Sequence, residues 1–247
     1  QSIYDFPDQM REAKSIGEDI ELNNTYDDIQ NIIVCGMGGS AIGGDLAKSL
    51  ASNSIKLPLI VNRNYQLPNW VNSNSIVICS SYSGNTEESL AAYDDAITKG
   101  AKIIGITTGG KLGSLLDRNT NDKVVIPSGL QPRAAVAYSF IPLLYLLNEL
   151  DFIDNDILNE VELAIGAIQS TRDVYSKDDN ENSALNLAKE IYNTLPIIYG
   201  ENESTSTIAL RWKGQFCENA KMLAYHNDIP EMNHNEIVGW QENPEFL

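Results

Sequence analysis

Positive charge is scarce in this chain. Its 17 Lys and Arg residues face 34 Asp and Glu, a formal net charge of −17 with a pI near 4.4. That balance excludes a broad basic face, so neither a nucleic-acid backbone nor an anionic membrane surface is the expected partner. Cysteine is scarcer still. Cys35, Cys79 and Cys217 lie far apart with no CxxC or CxxxH spacing, which argues against a disulfide framework and a zinc knuckle and fits a reducing cytoplasm. No basic start followed by an apolar stretch opens the sequence, and nothing approaches the ~18 uninterrupted apolar residues of a membrane span. The nearest run, Ala134 to Leu147, is broken by Ser139 and Pro142 and reads as a buried helix.

Apolar residues are present in ordinary measure. At 43% of 247 residues they can bury one large core or two small ones. Asn31 to Val34, Pro58 to Val61, Ser75 to Cys79, Lys102 to Thr107 and Lys123 to Ile126 are near-continuous apolar runs, as expected of parallel strands covered on both faces. Between them Ala41 to Ala51, Thr86 to Lys99 and Leu112 to Leu116 carry apolar residues at helical spacing. The alternation predicts an α/β fold with a doubly wound parallel sheet, preceded by a helix over Pro7 to Ile20. Near Leu150 the acidic stretch DFIDND reads as a connector, giving expected domains of 1–150 and 151–247. Two helices, Ile157 to Tyr175 and Ser183 to Asn193, are expected next. Then a strand over Leu195 to Tyr199, a polar loop over Gly200 to Thr207 and a helix over Ile208 to Ala224 repeat the earlier strand, Gly/Ser loop, helix order. The sequence stops at Glu245, Phe246 and Leu247, so this second unit is expected to be incomplete.

Two loops sit where such a sheet binds ligands, beyond the carboxyl ends of strands. In the first, Gly36, Gly38 and Ala41 match a GxGxxA dinucleotide fingerprint, a weak signal by itself. The acidic residue that NAD requires is replaced by Asn62, Arg63 and Asn64, and Gly44 stands where a P-loop needs lysine. In the second, Ser80, Ser81, Ser83 and Thr86 surround Gly84 immediately before a helix. Hydroxyls and free helical N–H groups at such a terminus can cradle a phosphate without any cation. Ser, Asn and Thr also serve as ordinary helix caps, but four hydroxyls within seven residues after a buried strand favour the cradle.

The segment SSYSGNTEES resembles the phosphosugar-binding motif of sugar isomerase (SIS) domains, and CGMGGSAIGGD, ALRWKGQFCENAK and PEMNHNEIVGW narrow the resemblance to the bifunctional phosphoglucose/phosphomannose isomerases. That resemblance implies two flavodoxin-like SIS units and a cofactor-free, metal-free interconversion of glucose 6-phosphate, and by extension mannose 6-phosphate, with fructose 6-phosphate. It further implies that Ser81, Ser83 and Thr86 hold the phosphate while Gly38, Gly39 and Ser40 line the sugar site. Glu218 matches the family's base. His234 matches its ring-opening acid/base, supplied from the neighbouring subunit of a homodimer, with His226 as the rival histidine. Arg133 would stabilise enediolate charge. Glu88, Asp45 and Glu201 remain as caps or supporting groups. The family also implies structure beyond Trp240 and a late lysine in the site, whereas this sequence ends seven residues after Trp240. Two other readings stay open: a SIS-type module that binds phosphosugar without turnover, and an NADP-binding domain drawing on GxGxxA and Arg63.

Overall fold

The computed structural model describes residues 1–178 and 182–242; the terminal Glu245, Phe246 and Leu247 lie outside the described residues. The chain divides into two compact units, Gln1–Asp173 and Val174–Leu247. The first extends past the division expected at residue 150. Ile157, Val161 and Ile165, on one stripe of the helix that follows the acidic connector, are buried in the first unit's core.

The first unit is a five-stranded parallel sheet. Its strands are β1 (Asn31–Cys35), β2 (Leu59–Asn62), β3 (Ser75–Ser81), β4 (Lys102–Thr107) and β5 (Asp122–Val125), in the spatial order β2-β1-β3-β4-β5. All five fall on the apolar runs read from the sequence. Because successive side chains of a strand point to opposite faces, Ile32, Val34, Ile76 and Ile78 enter one core while Ile33, Val77 and Cys79 enter another. The first core is closed by α1 (Phe6–Glu18), α2 (Gly38–Leu50), α5 (Val136–Glu149) and α6 (Asp156–Tyr175). The second is closed by α3 (Glu87–Thr98) and α4 (Gly110–Arg118). Layers of helix on both faces are what continuous apolar strands require. No helix among the described residues is long and apolar enough to cross a membrane.

The second unit contains α7 (Ser183–Glu190), β6 (Ile197–Glu201), α8 (Ser206–Gln215), β7 (Tyr225–Ile229) and α9 (Glu236–Glu242). Strands β6 and β7 pair in parallel from Ile197 opposite Tyr225 to Glu201 opposite Ile229, with α8 as the crossover. The helix expected to run from Ile208 to Ala224 is shorter. It gives way to a π-turn over Phe216–Ala220, which closes on Lys221 in the left-handed region at φ 58°.

Candidate active site

The strand order places β1 and β3 side by side while the chain leaves them toward opposite faces, α2 packing on one and α3 on the other. That reversal opens a crevice beyond their carboxyl ends, and both Gly/Ser segments stand at it. Neither α2 nor α3 carries a side-chain cap: Met37 has no oxygen to offer, and the Thr86 hydroxyl is not bonded to its own helix. Instead, Ser81 Oγ donates to Thr86 Oγ1 at 3.0 Å. The capping role that could have explained Thr86 is therefore not the one it plays. Ser83 is exposed, and its Oγ accepts the Asn85 N–H at 3.2 Å. Gly84, at φ +67°, lies so close to the β4–α4 loop that a Cβ there would sit 1.9 Å from Gly109 O. Only glycine fits both the backbone and the space.

Gly38, Gly39 and Ser40 form the first turn of α2 and not a loop before it. Ser40 Oγ accepts the Tyr82 N–H at 3.3 Å, which joins the two segments directly. A Cβ on Gly39 would meet Pro132 O at 2.6 Å, so the turn bearing Arg133 rests against the start of α2. Arg133 lies in a 3₁₀ turn, Pro132–Ala134, ahead of α5 rather than within that helix's first turn. Ser139 of α5 adds a hydrogen bond of 3.0 Å to Gly39 O. The first unit thus brings together Ser81, Ser83, Thr86, Gly38, Gly39, Ser40 and the Arg133 turn.

The other polar residues singled out in the sequence have local duties. Arg63, which the NADP reading needed, pairs with Asp45 of α2. Glu201 accepts Ser204 Oγ at 2.6 Å, and that bond holds its carboxyl below the usual value. Glu88 stands in the first turn of α3, where with Glu87 it raises the Tyr65 hydroxyl, the Glu87 charge acting most strongly. Burial pushes the Cys35 thiol up to about 12 and Cys79 well above its ordinary value, so both are protonated packing groups.

Glu218 and His234 belong to the second unit. Glu218 is exposed in the π-turn, a geometry that proteins often place at functional sites. Lys221 Nζ donates to the Glu218 carbonyl oxygen at 2.6 Å, and Asn219 Nδ2 to Gln215 Oε1 at 2.7 Å. His234 ends an exposed 3₁₀ turn, Glu231–His234, whereas its rival His226 is locked opposite Ile198 in the β6–β7 ladder. Just after His234, Glu236 accepts from Tyr199 Oη of β6, Asn227 Nδ2 of β7 and Trp240 Nε1, the last at 3.2 Å. The bond from Tyr199, then that from Asn227, hold the Glu236 carboxyl below its usual value. The sequence reading passed over two residues here. Tyr82 carries no local signal that sets it apart from the serines beside it, and Arg211 is one of several polar residues of α8. Burial pulls the Arg211 guanidinium below its ordinary pKa, and the Glu218 charge opposes that pull.

A parallel sheet in this order is the flavodoxin-like arrangement, with ligand-binding segments at its switch point, and the likenesses that follow place the chain among SIS-domain proteins. The C-terminal domain of glucosamine-fructose-6-phosphate aminotransferase from Francisella tularensis shares the fold, with a TM-score of 0.69 over 96% of this chain and 71% of that one at 17% identity. Residues 180–246 match the model of the bacterial phospho-glucose isomerase C-terminal SIS domain. The bifunctional phosphoglucose/phosphomannose isomerase of Caldicellulosiruptor bescii is 48% identical over 100% of this chain and 73% of its own length. The enzyme of the same name from Thermoplasma acidophilum is 38% identical over 92% of this chain and 68% of its own. The chain belongs to the bifunctional phosphoglucose/phosphomannose isomerase family.

Proposed function

We propose that this protein is an aldose–ketose isomerase that interconverts glucose 6-phosphate and mannose 6-phosphate with fructose 6-phosphate through one cis-enediolate. The observation that carries the reading is the convergence, at one switch point, of the Ser81–Thr86 segment, the glycine-rich start of α2 and the Arg133 turn. Family membership supports it independently. A phosphate at the start of α3 would accept hydrogen bonds from Ser81, Ser83, Thr86 and backbone N–H groups in a favourable helix field. Gly38, Gly39 and Ser40 would border the sugar. His234 would open the ring by moving a proton between the ring oxygen and the C1 or C2 hydroxyl. Glu218 would then take the C1 proton of the open ketose and return it to C2 while the O1 hydroxyl proton passes to O2, so that C1 becomes the aldehyde and C2 the hydroxyl, and Arg133 balances the negative charge that builds on the enediolate oxygens. Electrons stay within the substrate, so the reaction is redox-neutral and calls for no nicotinamide. Because glucose and mannose 6-phosphates differ only at C2, both share this intermediate, and the product depends on which face of C2 receives the proton.

The reading places the protein in the cytoplasm as a homodimer, with His234 of each subunit serving its neighbour's site. Incubating fructose 6-phosphate with the protein in deuterated water tests the chemistry. Deuterium at C2 of the aldose products is the expected result, and phosphosugar binding without exchange would leave only a sensor.

A further inference from the structure

Between Ser81 and Ser83, both assigned to the phosphate, stands Tyr82. It is 9% exposed and bonded to three other segments of the first unit. Its backbone N–H donates to Ser40 Oγ at 3.3 Å, at the start of α2. Its carbonyl accepts the Thr108 N–H at 3.2 Å, in the loop after β4. Its phenolic oxygen accepts the Leu130 N–H at 2.9 Å, in the segment that runs from β5 to Arg133. From Leu130 the chain passes through Gln131 into the Pro132–Ala134 turn, whose Pro132 carbonyl lies against Gly39. The backbone bonds survive any side-chain change. The phenol makes the one bond of the three that depends on the Tyr82 side chain, and it goes to the segment leading into the Arg133 turn, at Leu130, and not to Ser81, Ser83 or Thr86.

We propose that Tyr82 is a positioning residue, tying the Arg133 turn to the phosphate cradle so that a substrate anchored by its phosphate meets the guanidinium at a fixed separation. The proposal rests on the isomerase reading and adds to it a division of labour within the serine motif: the hydroxyls at Ser81, Ser83 and Thr86 set affinity, and the residue between them sets where the charge-stabilising arginine stands. Removing the phenolic oxygen leaves the Leu130 N–H without its acceptor and frees the turn to shift, while the ring still fills its place in the core beside α5.

The test uses the full chain and four proteins: wild type, Tyr82→Phe, Arg133→Ala and the double variant. Wild type is assayed first with fructose 6-phosphate, and absence of aldose product overturns the isomerase reading and this proposal with it. With an active wild type, Tyr82→Phe is expected to lower kcat by roughly 10- to 100-fold, as a small misplacement of a catalytic group does, with KM within about twofold. Inorganic phosphate should inhibit Tyr82→Phe as it inhibits wild type, which shows that the variant is folded and its cradle intact. The double variant should be no slower than Arg133→Ala alone, because a residue acting only through Arg133 has nothing left to act on. Three results overturn the proposal: kcat of Tyr82→Phe within twofold of wild type, multiplicative losses in the double variant, or lost inhibition by phosphate, which would assign Tyr82 to the cradle itself.

Discussion

Ser83 and Glu218 are proposed to act at opposite ends of the substrate, and truncating each should separate affinity from rate. Ser83→Ala removes the Oγ that accepts the Asn85 N–H but keeps the bond from Asn85 Nδ2 to the Ser83 carbonyl at 3.0 Å, so the turn retains one of its two Ser83–Asn85 bonds while one donor to the phosphate is lost. A hydrogen bond to a charged group contributes about 1.5 kcal/mol or more, so KM for fructose 6-phosphate is expected to rise about tenfold with kcat little changed. An unchanged KM in steady-state assays would take Ser83 out of the cradle. Glu218→Gln keeps the size of the side chain and removes the base. Solvent exchange at C2 is expected to fall by on the order of 10³, within the range usual for general acid–base catalysis, with affinity retained. If affinity collapses instead, Glu218 is a binding group and the base lies elsewhere.

At the scale of elements, β5 illustrates how one carboxylate stitches distant segments together. Asp122 begins this edge strand and is 5% exposed. It accepts the backbone N–H groups of Asn23 at 2.9 Å and Asn24 at 3.0 Å, and the Tyr26 hydroxyl at 2.7 Å, all from the segment between α1 and β1. Burial by itself would raise its pKa; these bonds outweigh it and hold the carboxyl below its ordinary 3.8. A depressed pKa means that the stabilisation is fully present above the unfolded value and is lost as the pH falls through the folded one. Asp122→Asn should therefore lower stability near neutrality by about 1–3 kcal/mol, the cost of weakened bonds to a buried acceptor. In urea titrations that deficit should shrink as the pH drops below 3.8, and a deficit independent of pH would show that the charge on Asp122 does not matter. The inner strands β1, β3 and β4 were legible in the sequence because each is a near-continuous apolar run buried on both sides, and the edge strands β2 and β5 still carry three and two apolar residues in a row. Strand β7 was not. Tyr-His-Asn-Asp-Ile has neither an apolar run nor alternation, and only its pairing with β6 makes it a strand. The same holds at the site. Ser81, Ser83 and Thr86 lie close together in the sequence and are chemically conspicuous, whereas the role argued for Tyr82 depends on a partner 48 positions away, which no local pattern encodes.

For the whole molecule, a net charge of −17 and an anionic substrate are compatible because recognition is local. Helix N-termini, hydroxyls and one arginine turn can build a small electropositive crevice on an acidic body. The proposed base and ring-opening acid, Glu218 and His234, both belong to the second unit. The proposal that His234 crosses to the neighbouring subunit has a stoichiometric consequence. Glu218→Gln and His234→Asn should each be nearly inactive as homodimers. When the two variants are refolded together, a mixed dimer carries both substitutions at one site and neither at the other. Random pairing in a two-fold dimer makes half of all dimers mixed, so recovered activity should approach roughly 25% of wild type. If each His234 served its own subunit, every site in the mixed dimer would carry one substitution and no activity would return. The mixing assay thus decides between shared and self-contained sites without requiring a structure of the assembly.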